Sequence, residues 1–115
     1  MADLTEALEG AREVELTVTG RKSGEPSTRP VWFVQEDATI YLLPVGGSGA
    51  NWFKNILRAP RIRLAAAGAE AEIEGKAITD PDRVSAVMEQ FGEKYGDSRV
   101  REYYPDQDVA VEVSL

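Results

Sequence analysis

Three extended segments lie within residues 13–45, separated by turns of only a few residues, and that spacing constrains the fold most. In residues 13–19, Val14, Leu16 and Val18 alternate with Glu15, Thr17 and Thr19, the period of a half-buried strand. Residues 28–35 are apolar, β-branched or aromatic, and residues 39–45 extend a third strand, with Pro44 near its end, where a missing amide donor is tolerated. Residues 61–66 and 69–79 form two more alternating strands about a turn, and residues 108–113 a last one through Val109, Val111 and Val113. Parallel neighbours need a crossover of a dozen residues or more, and no such rhythm of strand and helix runs through the chain. The expected architecture is therefore an antiparallel sheet of about six strands, closed into a small barrel and flanked by short helices. No repeat, linker or low-complexity tract divides the chain, so residues 1–115 are expected to form a single domain.

The helices carry clear punctuation. Residues 3–12 place Leu4, Ala7, Leu8 and Ala11 at helical spacing, with Asp3 or Thr5 as cap. Residues 50–57 follow the stretch GGSG, with Ser48 as the expected N-cap and Pro60 as the stop. On that helix Asn51, Lys54, Asn55 and Arg58 should face solvent, and Trp52, Phe53, Ile56 and Leu57 the core. Residues 80–95 begin with Asp80 as N-cap and Pro81 at the first helical position. Val84, Val87, Met88, Phe91 and Tyr95 form its apolar stripe, and Gly96 ends it. Residues 98–104 read as one more helical turn before Pro105.

The chain has no cysteine and no histidine. Disulfides, thiolate nucleophiles, Cys/His zinc sites and any imidazole base are thereby excluded. An enzyme with this inventory draws its reactive atoms from elsewhere, and a bound organic cofactor supplies them. The net charge of −7 argues against nucleic acid as a partner. No apolar stretch reaches the roughly 18 residues of a membrane span, and no secretory signal opens the chain, so a cytoplasmic protein is expected. The charge is unevenly spread: residues 20–63 hold seven cations and three anions, a basic middle in an acidic chain. Glu70, Glu72 and Glu74 point to one side of a strand, which spreads them apart as a solvated face instead of converging them on a cation.

Within the basic middle, GRKSGEP at residues 20–26 admits two readings. Successive turn amides can form a concave nest for an anion, reinforced by Arg21, Lys22 and the Ser23 hydroxyl, with Arg29 in the next strand. Equally, the glycines can serve a plain hairpin whose cations are solvated. Gly46 and Gly47 open a helix N-terminus, which can present amides to an anion or merely connect a strand to a helix. Trp32 and Trp52 can wall a flat ring or fill the core. Tyr41, Tyr103 and Tyr104 are candidate proton donors among which the sequence does not choose, and no catalytic residue is assigned.

The string LTVTGRKSGEPSTRPVWFV followed by NWFKNILRAPRIRL resembles the deazaflavin (coenzyme F420)-dependent nitroreductases. These belong to the flavin-reductase and pyridoxamine-phosphate-oxidase-like superfamily. The resemblance covers roughly residues 12–66 and rests on Thr19, Gly20, Arg21, Lys22, Ser23, Gly24 and Pro26, then Trp52, Phe53, Asn55 and Pro60. It implies a mainly β (α+β) fold, an antiparallel split β-barrel of the FMN-binding type with flanking short helices. It also implies a homodimer with F420 near the subunit interface and hydride transfer to or from a small enone, quinone or nitro compound. By the same resemblance Arg21 and Lys22 reach the cofactor's phosphate and acidic tail, Pro30 and Trp32 line the ring site, and Trp52 and Asn55 border the cofactor. Ser27 and Val45 stand where the family has an arginine and a lysine. FMN, with one phosphate, is the alternative cofactor, and relatives that bind haem or a fatty acid give a non-catalytic alternative.

Overall fold

In a computed structural model, residues 4–104 and 107–115 are described. Asp3 and Pro105, expected at the start of the first helix and after the last, lie outside them. The chain runs α1 (Leu4–Leu8), β1 (Val14–Thr19), β2 (Pro26–Val31), β3 (Phe33–Glu36), β4 (Thr39–Leu42), α2 (Asn51–Arg58), β5 (Arg61–Ala66), β6 (Ala69–Ile78), α3 (Pro81–Tyr95), α4 (Asp97–Tyr103) and β7 (Ala110–Ser114). All strand pairs are antiparallel, in the order β2-β1-β5-β6-β7-β4-β3. The two end strands of that order, β2 and β3, are consecutive in the chain with only Trp32 between them. The sheet therefore curls back on itself, and the fold is a split β-barrel.

Two long strands make the turn from one half of the barrel to the other. Residues 26–31 pair with β1, whereas residues 33–36 pair with β4. In β6, Ala69 to Glu74 pair with β5, and Gly75 to Ile78 with β7. Gly75 sits at that change of partner, where a Cβ would lie 3.2 Å from Val111 Cγ1 and 3.4 Å from both Ile56 Cγ2 and Ile62 Cδ1. The close approach of three core side chains leaves room for glycine there.

This geometry accounts for two kinds of strand in the sequence. β1 and β5 have one face inward and one in water, so Leu16, Ile62 and Leu64 are buried while Glu15, Arg61 and Arg63 are exposed. β3, β4 and β7 carry apolar residues on both faces, Phe33 with Val34, Leu42 with Leu43 just beyond β4, and Ala110 with Val111. Phe33, Ile40, Leu42, Val111 and Val113 fill the barrel with Leu16, Phe53 and Ile56. Val34, Leu43 and Ala110 point outward into a second core, closed by Val84, Val87, Phe91 and Tyr95 of α3 and by Val100 of α4. The apolar stripe expected on residues 80–95 is the one that packs there. Asp80 caps α3 by accepting the Asp82 amide at 3.0 Å, and Gly96, at φ 100°, ends it.

Several local expectations change. The strand expected over residues 28–35 breaks at Trp32, so seven strands form instead of six. The third strand stops at Leu42, two residues before Pro44. Ser48 is not the cap of α2: Ala50 holds that position without a side-chain bond. The faces of α2 also differ from a simple wheel, because Asn55 is buried and Leu57 is 60% exposed. The hairpin loop after β1 packs against the Asn55 side of α2, so that side turns inward. No described helix is long and apolar enough to cross a membrane.

Candidate functional site

The site lies where the barrel splits. The β3–β4 register pairs Phe33 with Leu42, so its continuation would set Trp32 opposite Leu43 and Pro30 opposite Val45. That continuation does not form. The turn between β3 and β4 has two residues, so Glu36–Thr39 and Val34–Tyr41 are the pairs that exchange hydrogen bonds, and Pro30–Val45 would be another. Pro30 has no amide to donate. The same parity holds on the other side, where Gly20 N donates to Glu25 O at 2.9 Å and fixes residues 25, 27, 29 and 31 as the ones bonded toward β1. Beyond Phe33 and Leu42 the two arms splay, and between them lies a cavity of about 340 Å³, lined among others by Arg29, Pro30, Trp32, Leu43, Trp52 and Tyr104.

Trp32 is held rigidly at the break. Its ring stacks on Tyr95 at 4.2 Å between centroids and 7° between planes, and Tyr103 meets its edge at 5.4 Å. Tyr95 is itself fixed through its hydroxyl, which accepts the Phe33 amide at 3.1 Å and lies 2.7 Å from Arg12 O and 2.9 Å from Phe33 O. Lys94 donates to the same Phe33 carbonyl at 2.9 Å and sits 3.6 Å over the Phe33 ring. Two successive residues of α3 thus satisfy the open edge of β3. Burial raises the Tyr95 pKa and, more strongly, that of Tyr104, so both remain neutral phenols. Burial, then the Arg12 guanidinium, lowers the Lys94 ammonium to about 8.

Arg29 brings the charge. It pairs with Leu16 across β2 and β1 and therefore stands on the inward face of its strand. Its guanidinium donates to Ser27 Oγ, while Nε is buried without an acceptor. No carboxylate forms an ion pair with it among the described residues. Glu13, which is exposed, also lines the cavity.

Of the ten candidate site residues, four meet here: Arg29, Pro30, Trp32 and Trp52. The other six do not line the cavity. Residues 20–24 form one helical turn closed by Gly24 N to Gly20 O at 2.9 Å. The Glu25 amide goes to Ser23 Oγ at 3.1 Å, and the Arg21 amide to Asn55 Oδ1 at 3.1 Å. With the Gly20 amide on Glu25 O, four amides that a nest would offer are bonded within the protein. The Arg21 guanidinium reaches Asn55 Oδ1 at 2.8 Å, so Asn55, the buried polar residue of α2, ties the loop to the helix. Lys22 and Ser23 remain exposed at the tip. Gly46 and Gly47 adopt φ 91° and 62°, a left-handed pair that glycine favours. Their turn already has an anion: Asp108 accepts the Ser48 amide at 2.9 Å and its hydroxyl at 2.6 Å. Those bonds, the hydroxyl first, hold the Asp108 carboxyl below its ordinary range.

Tyr103 and Tyr104 line the cavity, whereas Tyr41 packs against the second core. Glu70, Glu72 and Glu74 are exposed along β6; Glu72 pairs with Arg63 at 3.1 Å and Arg61 at 3.5 Å, and no metal-binding cluster occurs among the described residues. Sequence reasoning missed Tyr95 as the support of Trp32 and Leu43 and Val45 as cavity walls. Pro30 and Pro44, on opposite arms of the hairpin just beyond its last pair, were the available signal.

Solved structures share this architecture at low sequence identity. An F420-H2-dependent reductase (FDR-A) superposes with a TM-score of 0.71 at 17% identity, over 90% of this chain and 94% of its own. HutZ, the haem storage protein of Vibrio cholerae, gives 0.75 at 15%, over 96% and 86%. A candidate pyridoxamine 5'-phosphate oxidase of Listeria innocua gives 0.70 at 14%, over 96% and 88%. At these identities the likeness is one of fold. Residues 4–113 match the family described as "Uncharacterized protein conserved in bacteria (DUF2255)", and the chain belongs to that family.

Proposed function

We propose that the chain is a flavin- or deazaflavin-type oxidoreductase, a single split-barrel domain acting as a cytoplasmic homodimer on a small enone, quinone or nitro compound. The observation that carries this reading is the cavity at the strand split, with two indoles and two phenols on its walls and one guanidinium in it. The lining fits such a group. Flat apolar walls suit a tricyclic ring. The volume lies at the lower end of the ~300–1,000 Å³ usual for small-molecule sites, so the ring is accommodated and any tail lies outside. Val45 and Tyr103, 58% and 48% exposed at the cavity, are the surface a second copy would cover.

When bound, the cofactor supplies a ring that carries a hydride. Trp32, pinned by Tyr95, and Trp52, in the barrel core, orient that ring and exclude water from it. Pro30 keeps the arms apart. Tyr104, kept neutral by burial, holds a proton beside the cavity, and Tyr103 places a second hydroxyl there. Lys22 and Ser23, at the free tip of the first hairpin, are the loop groups still open to a phosphate or an acidic tail. Coenzyme F420 is the first candidate; FMN is the second, favoured by the engagement of Arg21 with α2, which leaves fewer cations for a long tail.

Titration with F420 and with FMN tests the reading, because both tryptophans line the cavity. Saturable quenching of tryptophan emission by at least one of them is expected, with the quenched share reduced in Trp32→Phe. Absence of quenching by both would refute the proposal.

A further inference from the structure

Arg29 is the one charged group in the cavity whose position demands an explanation. A guanidinium taken partly out of water costs free energy unless anions or several acceptors surround it. Here its partner is one serine hydroxyl, its Nε has none, and it forms no ion pair among the described residues. Glu13 lines the same cavity and still does not pair with it. An edge strand can carry an inward charge to prevent aggregation, yet Pro26 and Pro30 already remove two of the three outward amides of β2. The charge is left over after the fold's own needs are met.

The ligand's chemistry can be read from the surroundings. The planar fork of arginine matches a planar carboxylate through two parallel hydrogen bonds. The neighbouring walls, Pro30, Trp32 and Leu43, are apolar, and Trp32 is flat and stacked on Tyr95. Glu13 opposes a second negative charge. We propose that the reactant of this site is a planar compound bearing a single carboxylate, held by Arg29 at the strand split. The proposal rests on the oxidoreductase reading for the word reactant; the carboxylate site itself is testable without a cofactor.

The probes are 4-nitrobenzoate, the neutral 4-nitrobenzamide and the dianion 4-nitrophthalate, titrated into the full chain by calorimetry. The wild-type chain should bind the benzoate at least tenfold more tightly than the amide, and the phthalate no more tightly than the benzoate. In Arg29→Gln the acid and the amide should come within twofold of each other. Arg29→Lys, which keeps the charge and loses the fork, should fall between. In Glu13→Gln the phthalate should gain. Because Arg29→Gln removes an uncompensated charge, its urea midpoint should not fall. Equal affinity for acid and amide in the wild type would overturn the proposal, and so would a preference that survives in Arg29→Gln. Failure here with F420 or FMN still quenching would leave the oxidoreductase reading standing. A carboxylate preference without quenching would leave the anion site and remove the redox reading.

Discussion

The bond between the first hairpin and α2 makes a quantitative claim about Arg21. Asn55 Oδ1 accepts the Arg21 amide at 3.1 Å and the Arg21 guanidinium at 2.8 Å, and Asn55 is only 8% exposed. Asn55→Ala removes both bonds. A neutral bond contributes roughly 1 kcal/mol and one to a charged group roughly 1.5–3, the lower figure applying to a half-exposed arginine. The expected loss is about 2–3 kcal/mol. Arg21→Ala keeps the amide bond and loses only the charged one, about 1–1.5 kcal/mol. The contacts of Arg21 with Asn51, at 3.4 and 3.5 Å, add little. In a double-mutant cycle the two substitutions should therefore couple by about 1 kcal/mol, since the second removes nothing that the first has left. Urea unfolding followed by tryptophan emission measures all four corners. With a slope of ~1–2 kcal/mol/M the Asn55→Ala midpoint should fall by about 1–3 M. Cofactor affinity should change less than stability, because Arg21 does not line the cavity. Additive effects, or a loss below about 0.5 kcal/mol in Asn55→Ala, would refute the reasoning. An Arg21→Ala variant with unchanged stability and weakened ligand binding would return the loop to the role its sequence suggests.

Three other outcomes follow from the geometry. Gly75→Ala places a methyl 3.2 Å from Val111 Cγ1 and should cost about 1–3 kcal/mol by overpacking, read as a lower urea midpoint, with Val111→Ala partly restoring it. Tyr95→Phe leaves the Phe33 amide without its acceptor and should cost about 1–3 kcal/mol, read as a lower urea midpoint, while the ring that stacks on Trp32 is kept and tryptophan emission should change little. The lowered Lys94 value gives a pH dependence of definite sign. Between about pH 8 and the ordinary lysine value near 10.5 the unfolded chain binds more protons than the folded one, so stability rises with pH across that window. The ammonium is partly exposed, so the rise should stay below about 1 kcal/mol, and it should vanish in Lys94→Met. A flat profile in the wild type would show that the ammonium is solvated.

Much of the barrel was legible because its cause is local. Alternation in β1 and β5 follows from one wet face, and Asp80, Pro81 and Gly96 mark the ends of α3 through their own backbone preferences. Seven strands read as six because nothing within residues 28–35 tells a strand that changes partner from one that keeps it; the break at Trp32 is imposed by β1 and β4 on opposite sides. The two glycine loops stayed ambiguous in the sequence for a related reason. A glycine turn with free amides and one satisfied by a carboxylate sixty residues away have the same local sequence, and Ser48 and Asp108 are such a pair. Leu57 and Asn55 exchange their expected sides because the burial of α2 is decided by the hairpin that lands on it. In the cavity, Trp32, Trp52 and Arg29 were identifiable by residue type and Pro30 through the resemblance alone, while the role of Tyr95 depended on a stacking contact 63 positions along the chain.

The missing proton donor at position 30 has an evolutionary corollary. A residue other than proline there would restore the donor of the 30–45 pair, and the recess should narrow where Trp32 and Leu43, which stand unpaired between that position and the end of the ladder, join it as well. Proteins on this scaffold that carry an N–H at the equivalent place should show slow amide exchange along that stretch and little affinity for planar molecules. Those with proline should show the reverse, so that ligand capacity in such barrels tracks an omitted hydrogen bond more closely than it tracks overall sequence likeness.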